Sequence, residues 1–300
     1  MKNKVVAIIV TYNRLEKLKK CITHLHQQEA KCDIIIVNNA STDGTNSWLE
    51  EMSINSNDIK IITLTKNIGG AGGFYVGVKQ AIKEGYEYAW LMDDDCYVRS
   101  NTLEKLLEAD KILNGQYGWL SSVALWRDDT PCLMNKQKLS ENFYDKINYL
   151  TNSLILSNQA TFVSLFFKIR TAIEVGLPIK EFFIWGDDIE YTRRIAIMYK
   201  YHSYVVGDSI INHDMETNNG SRISTDSIER INRYFYAYRN EYYLYSREGI
   251  KGRLYFATKC AYNIWRILYE AKNNRCKRIF VLLKGVVSGI SFSPRIEYIK

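Results

Sequence analysis

Four apolar runs recur along the first hundred residues, at Val5–Val10, Ile34–Val37, Ile59–Leu64 and Tyr88–Met92. Unbroken runs of this length suit strands of a parallel sheet covered on both faces. Between them the apolar spacing turns helical. Leu15, Leu18, Ile22 and Leu25 form one stripe, with Lys17, Lys19 and Lys20 on the face expected to be exposed. A short helix through Leu49 follows the second run. Another carries Phe74, Gly77, Val78, Ala81 and Ile82 and stops at Gly85. Strand–helix alternation at this spacing predicts an α/β fold with a mostly parallel sheet and right-handed crossovers.

Further on, the pattern predicts a helix over Leu103–Leu113, an apolar β-like stretch over Ala160–Ile169 and a short helix over Thr171–Val175. A helix over Asp187–Tyr199 and short strands at Tyr201–Val206 and Ser209–Ile211 complete the body. The stretch from Tyr117 to Ser157 has no readable period. From Ser227 the chain turns helical and aromatic. A second C-terminal helix is expected near Arg253–Ala271, through Phe256, Cys260, Ile264 and Leu268, and a third near Arg275–Ser288. This divides the chain into a body, 1–226, and a basic, aromatic helical region, 227–300.

Composition adds three constraints. The 300 residues are 46% hydrophobic and 24% charged, which suits a globular chain. No run of 18 apolar residues exists, and the first apolar run is too short for an export signal. The six cysteines lack CxxC spacing, so they read as reduced thiols of a cytoplasmic protein. The net charge of +7 is uneven: residues 230–300 hold 15 Lys/Arg against 4 Asp/Glu. A basic tail on a near-neutral body calls for an anionic partner. Tyrosine and tryptophan beside basic residues suit peripheral contact with a membrane; a helical cap with a basic solvent face is the plainer reading. Nucleic acid is disfavoured, because the basic residues interleave with apolar stripes and match no reader motif.

The chemistry centres on Asp93-Asp94-Asp95, three carboxylates at the end of a buried run. Crowded carboxylates repel, and each is costly to desolvate. A hard divalent cation such as Mg2+ or Mn2+, shared with phosphate, would relieve both costs. Ligands of open α/β sheets bind at this carboxyl end. Taken alone, the triplet could equally be a solvated acidic turn. A second acidic group, Asp187, Asp188 and Glu190, follows Trp185-Gly186 and exceeds what a helix cap needs. His213 ends an apolar run and is a candidate third metal ligand. Gly69, Gly70, Gly72 and Gly73 permit unusual backbone angles or close approach of a ligand, or a plain tight turn. They fit neither the dinucleotide fingerprint nor the P-loop. His24 and His26 point to different helix faces and make a poor metal pair.

Five segments in order and spacing resemble family 2 glycosyltransferases: Val10–Arg14, Asn38–Gly44, Asn67 with the glycine cluster, Asp93–Asp95 and Trp185–Tyr191. The resemblance covers about residues 4–215 and implies the GT-A fold. Gly69–Phe74 and Met92–Asp95 look most like bacterial galactofuranosyltransferases, with rhamnosyltransferases as the neighbouring branch. Tyr234–Asn240 is similar to a segment after the catalytic domain of both.

By this resemblance Asp93, Asp95 and His213 hold Mn2+ or Mg2+ on the donor diphosphate, and Asp188 is the general base. Thr11, Tyr12, Asn13, Arg14, Asn38, Asn39, Asn67, Asp94 and the four glycines would line the donor. Trp185, Asp187 and Glu190 would meet the acceptor. Many relatives carry aspartate where this chain has Asn38, which loosens the choice of base. The implied reaction moves galactofuranose from UDP-galactofuranose to a glycan or polyprenyl-linked acceptor of a bacterial cell envelope, at the inner face of the membrane. A dTDP-rhamnose enzyme is the alternative. A non-catalytic sugar-nucleotide binder is disfavoured by the intact carboxylates. A nucleotidyltransferase would show a basic glycine-rich signature near its first strand, which is missing here.

Overall fold

The structure is a computed structural model that describes residues 3–299, without the side chain of Asn55. The outer ends of the two expected regions, residues 1–2 and 300, lie outside the described residues. The first half is the alternation expected: β1 (Val5–Thr11), α1 (Leu15–His26), β2 (Asp33–Asn38), α2 (Thr45–Asn55), β3 (Ile59–Thr63), α3 (Gly69–Lys83) and β4 (Tyr88–Asp93). Next come β5 (Cys96–Val98), α4 (Thr102–Ile112), β6 (Leu120–Leu125), β7 (Lys138–Leu139), α5 (Ile147–Leu150), β8 (Leu154–Gln159), β9 (Leu165–Lys168) and α6 (Ile169–Val175). The chain closes with α7 (Asp187–Arg193), β10 (Tyr204–His213), α8 (Tyr234–Arg247), α9 (Gly249–Glu270) and α10 (Arg275–Ser291).

One sheet holds ten strands in the order β3-β2-β1-β4-β9-β6-β10-β8-β7, with β5 on β10. The β3–β2–β1–β4 half is parallel, as is β6–β10; β9 and β8 are antiparallel insertions. Alternation along β1 explains the two layers. Val5, Ala7 and Ile9 join a core with Leu18, Ile22 and Leu25 of α1 and Leu103 of α4. Val6, Ile8 and Val10 face the other way, onto Phe74, Val78 and Ala81 of α3. The helix α3 lies close to β1 because Gly73 and Gly77 leave room for Val10 and Ile8.

The second half departs from the sequence reading in four places. The stretch read as β-like over Ala160–Ile169 is a turn that follows β8, then β9 and the first residue of α6. Ser164 turns the chain at φ +58°, and its hydroxyl is shared with Trp90 and Ser122. The two short strands expected around Gly207 are one strand, β10, with a bulge between Val206 and Ile210. The helix expected to Tyr199 is α7 followed by one wide π turn, Arg194–Met198. That turn carries Arg194, fully buried, onto the carbonyls of Val175 and Leu177 and the carboxylate of Glu190. Finally, β6 is hidden in the unreadable stretch because it buries serines: Ser122 joins Ser164 and Ser209 in a chain of hydroxyls.

Among the described residues no helix is long and apolar enough to cross a membrane. The C-terminal helices form their own cluster around Ile231, Tyr238, Phe256, Ile267 and Leu282, against which Trp185 packs.

Candidate active site

Register places the site. Thr11, Asn38 and Asp93 end three adjacent parallel strands. The carboxyl edge of the sheet therefore presents all three together, as the strand ends predicted. The β5–β10 hairpin-like pairing sets His213 opposite Cys96, so a residue 118 positions away reaches Asp95.

Within the triplet the three carboxylates differ. Asp94 and Asp95 are buried, whereas Asp93 is only partly covered. Asp94 accepts from the Thr11 hydroxyl at 2.8 Å and from Arg14 at 3.3 Å. Burial nonetheless pushes its carboxyl up to about 7. Asp95 is ringed by cations: His213 Nε2 at 3.0 Å, Arg14 at 2.8 Å and Lys17 at 3.3 Å. These outweigh its burial and hold it well below the usual carboxylate range. Burial opposes a charge on His213, but the hydrogen bond and charge of Asp95 lift it to about 10. The Nδ1 atom of His213 lies 2.7 Å from the Asn135 side-chain oxygen, which fixes the ring. Asp93 accepts no side-chain hydrogen bond among the described residues; burial first, then the charge of Asp95, raises its carboxyl.

The donor set suits a hard or borderline divalent cation. Asp95, Cys96 and His213 bring one ligand atom each within 4.8 Å of one another. Burial and the neighbouring aspartates push the Cys96 thiol well up, so it stays protonated and is a poor ligand here. Asp95 and His213 remain, with Asp93 as the adjacent carboxylate. Lifted to about 10, the His213 imidazole carries a proton that a bound cation would have to displace, along with the Arg14 and Lys17 contacts of Asp95. Lys17 was expected on an exposed helix face. The first turn of α1 overhangs the strand ends instead, and its ammonium reaches Asp95 and the carbonyl of Asp214. No sequence period distinguishes Lys17 from Lys19 and Lys20; only the docking of α1 does.

The loops around this edge hold each other. Asn13 and Asn38 accept from the backbone of Thr42 and Ser41. Asn39 is fully used: its oxygen accepts from Ile68 N–H and its amide donates to the Gly69 carbonyl. Asn67 accepts from Gly69 N–H. Tyr12 stands exposed at the rim. The glycines serve three purposes. Gly69 sits at φ +78°, and a Cβ there would fall on the Phe183 carbonyl. At Gly72 and Gly73 the close neighbours are Ile68 and Val10, the protein's own side chains. Only Gly70 faces open space. Gly69→Ala is therefore expected to cost about 1–3 kcal/mol from strain and displacement of the Phe183 loop, read as a lower urea midpoint.

In the second acidic segment, Asp187 and Asp188 open α7 after Gly186 at φ +85°. Asp188 is half-buried and accepts from Ile189 N–H at 2.7 Å. Burial, reinforced by the charge of Asp93, raises it to about 7. Asp187 is buried, and burial plus the charge of Asp188 pushes it well above the usual range. The electrostatic coupling of Asp93 to both marks one site made from two distant segments. Trp185 packs edge-on against Tyr234 with ring centres 4.9 Å apart. Glu190 is buried and paired with Arg194 at 2.8 Å, turned to the protein rather than to an acceptor.

The sequence reading named Asn240 only within a family-like segment. The structure gives it a job. Fully buried, its amide spans the carbonyls of Phe182, Ile184 and Trp185 at 3.0, 3.2 and 2.7 Å. Arg239 adds bonds to the carbonyls of Glu181 and Phe182. Phe183 and Trp185 both have positive φ, so α8 clamps a strained loop directly before Asp187.

A mixed sheet with carboxylates at its switch edge and a second acidic group electrostatically linked to them is the arrangement of the GT-A fold. The match to glycosyltransferase family 2 lies in the first half of the chain. The family model described as Glycosyl transferase family 2 matches residues 6–118. The chain is 25% identical to galactofuranosyltransferase GlfT1 of Mycolicibacterium smegmatis, over 82% of this chain and 84% of that one. It is 29% identical to undecaprenyl-phosphate mannosyltransferase of Micrococcus luteus, over 35% of this chain and 44% of that one. Among solved structures, S. aureus TarS 1-349 shares the fold at TM-score 0.53 and 16% identity, over 98% of this chain and 73% of that one. GalNAc-T7, solved with UDP, GalNAc and Mn2+, superposes at TM-score 0.61 and 12% identity, covering 83% of this chain; the chain spans about half of that structure.

Proposed function

We propose that this glycosyltransferase is an inverting, metal-dependent galactofuranosyltransferase. It takes the sugar from UDP-galactofuranose and adds it to a hydroxyl of a lipid-linked envelope glycan. The observation that carries the reading is the electrostatic meeting of two acidic groups from distant segments: Asp93–Asp95 beside His213, and Asp187–Asp188 under the influence of Asp93. The likeness to GlfT1 over most of both chains favours galactofuranose over the dTDP-rhamnose alternative.

Asp93, Asp95 and His213 would hold Mn2+ or Mg2+, which supplies charge neutralisation for a departing nucleoside diphosphate. The remaining chemistry belongs to the chain. Thr11, Asn38 and Asn39 line the strand ends on the nucleotide side, with Asp94 held rigid by Thr11 and Arg14. Asp188 accepts the proton of the acceptor hydroxyl as that oxygen bonds to the anomeric carbon. The bond from that carbon to the diphosphate oxygen breaks on the opposite face, so one displacement inverts the centre. Asp187, pushed well above the usual carboxylate range by burial, lies next to Asp188 in the chain on the acceptor side.

The test is a donor panel of UDP-galactofuranose, UDP-galactopyranose and dTDP-rhamnose. Selective turnover of UDP-galactofuranose, lost with excess chelator and restored by Mn2+ or Mg2+, is the expected result. Preference for dTDP-rhamnose would move the chain to the neighbouring branch. Full activity in chelator would remove the metal from the reading.

A further inference from the structure

The helices α9 and α10 bury one face each and turn a second apolar face outward. On α9, Gly252, Phe256 and Ile267 are buried against the cluster beneath. The opposite face carries Ile250, Leu254, Tyr262, Trp265, Leu268 and Tyr269, which are 54–78% exposed. These positions share one side of a helix by their spacing. Tyr262, Trp265 and Tyr269 stack in a row, with ring centres 5.9 and 5.6 Å apart. On α10, Val281 and Leu282 point inward, while Phe280, Leu283, Val287 and Ile290 point out.

Large apolar side chains in such numbers on outward helix faces are costly in water and mark an interaction face. The charge around them selects the partner. Residues 249–291 hold nine Lys/Arg and a single acidic residue, Glu270. Lys259 and Arg266 are paired with Glu241 and Glu270, and Arg278 is buried on backbone carbonyls. Lys251, Arg253, Lys272, Arg275, Lys277 and Lys284 make no ion pair with a carboxylate among the described residues. An apolar face with an aromatic row and unpaired cations, on helices that cannot span a bilayer, has the composition of an interfacial anchor.

We infer that the outward face of α9 and α10 docks the enzyme on an anionic lipid surface, with Trp265 and its tyrosine neighbours at headgroup depth and the free Lys/Arg against lipid phosphates. The inference deepens the lipid-linked acceptor reading. Its test does not depend on turnover, so either can fail alone.

The experiment uses the full chain with vesicles of phosphatidylcholine, alone or mixed with phosphatidylglycerol. The wild type is expected to co-sediment with the anionic vesicles and to be released by salt, because the cationic contribution is screened. Leu254→Glu/Trp265→Glu, at exposed positions, should keep the far-ultraviolet spectrum and melting behaviour yet lower the partition coefficient at least about tenfold. Lys251→Glu/Lys277→Glu should lose binding to anionic vesicles selectively. Equal partitioning of wild type and both variants would overturn the inference, as would failure of the wild type to bind any vesicle. A wild-type dimer in solution that the first variant turns into a monomer, without lipid binding, would reassign the face to self-association.

Discussion

Replacing Asp188 by asparagine is expected to lower transfer by about 10²- to 10⁴-fold, the usual contribution of a general base, while UDP binding is retained. Asparagine keeps the size and the acceptor oxygen that meets Ile189 N–H. It removes only the capacity to take a proton. Asp188 must be ionised to act, and burial has raised it to about 7. The wild-type rate should therefore climb as pH rises through about 7, and this limb should vanish in the variant. Asp187 provides the internal comparison. Burial and the charge of Asp188 push it well above the usual carboxylate range, and no proton transfer is assigned to it. Asp187→Asn should then keep the pH limb and lose less activity. Initial rates across pH, with calorimetric titration of UDP, check both. Unchanged turnover in Asp188→Asn would sink the assignment of the base.

The parts of this molecule that were legible in the sequence obey a period. Parallel strands read as apolar runs, so the buried β1, β2 and β4, the partly exposed edge strand β3 and the edge that carries Asp93 were visible. Asp93–Asp95 and Asp187–Asp188 were visible because adjacent carboxylates are expensive without a reason to be there. What escaped depends on docking. Lys17 belongs to a lysine-rich helix face and became a neighbour of Asp95 only because α1 starts above the strand ends. β6 escaped because its buried Ser121 and Ser122 look like loop residues until Ser164 and Ser209 satisfy them. Glu190 looked like part of an acidic site; the π turn after α7 brings Arg194 back to pair with it. On α9 and α10 apolar residues occur all round, so periodicity could not say which face would be covered.

The clamp on the loop before Asp187 leads to the second large effect. Asn240→Leu is expected to lower kcat by about 10²-fold, the scale of an ångström-sized misplacement of a reacting group, with little change in the affinity for UDP. The physical argument begins with the backbone. Phe183 and Trp185 have positive φ, a conformation that costs about 1–3 kcal/mol for each such residue and persists only when its surroundings enforce it. Asn240 supplies that enforcement through three carbonyls, and for Ile184 and Trp185 it is the hydrogen-bond donor to the carbonyl. Leucine matches the volume but leaves these buried oxygens unpaired, at about 1–3 kcal/mol each. The loop would then relax, and Asp187 and Asp188, which follow within three residues of Trp185, would lose their alignment with Asp93. The strand ends of β1 and β2 on the nucleotide side are not bonded to Asn240, although the clamped loop meets Ala71 N–H through the Phe183 carbonyl. A loss in kcat with UDP affinity preserved thus separates positioning from general damage, which would lower both. Asn240→Gln, which keeps an amide on a longer arm, should recover part of kcat. If folded Asn240→Leu, verified by its melting curve at the assay temperature, turned over like the wild type, the loop would hold its shape without the clamp.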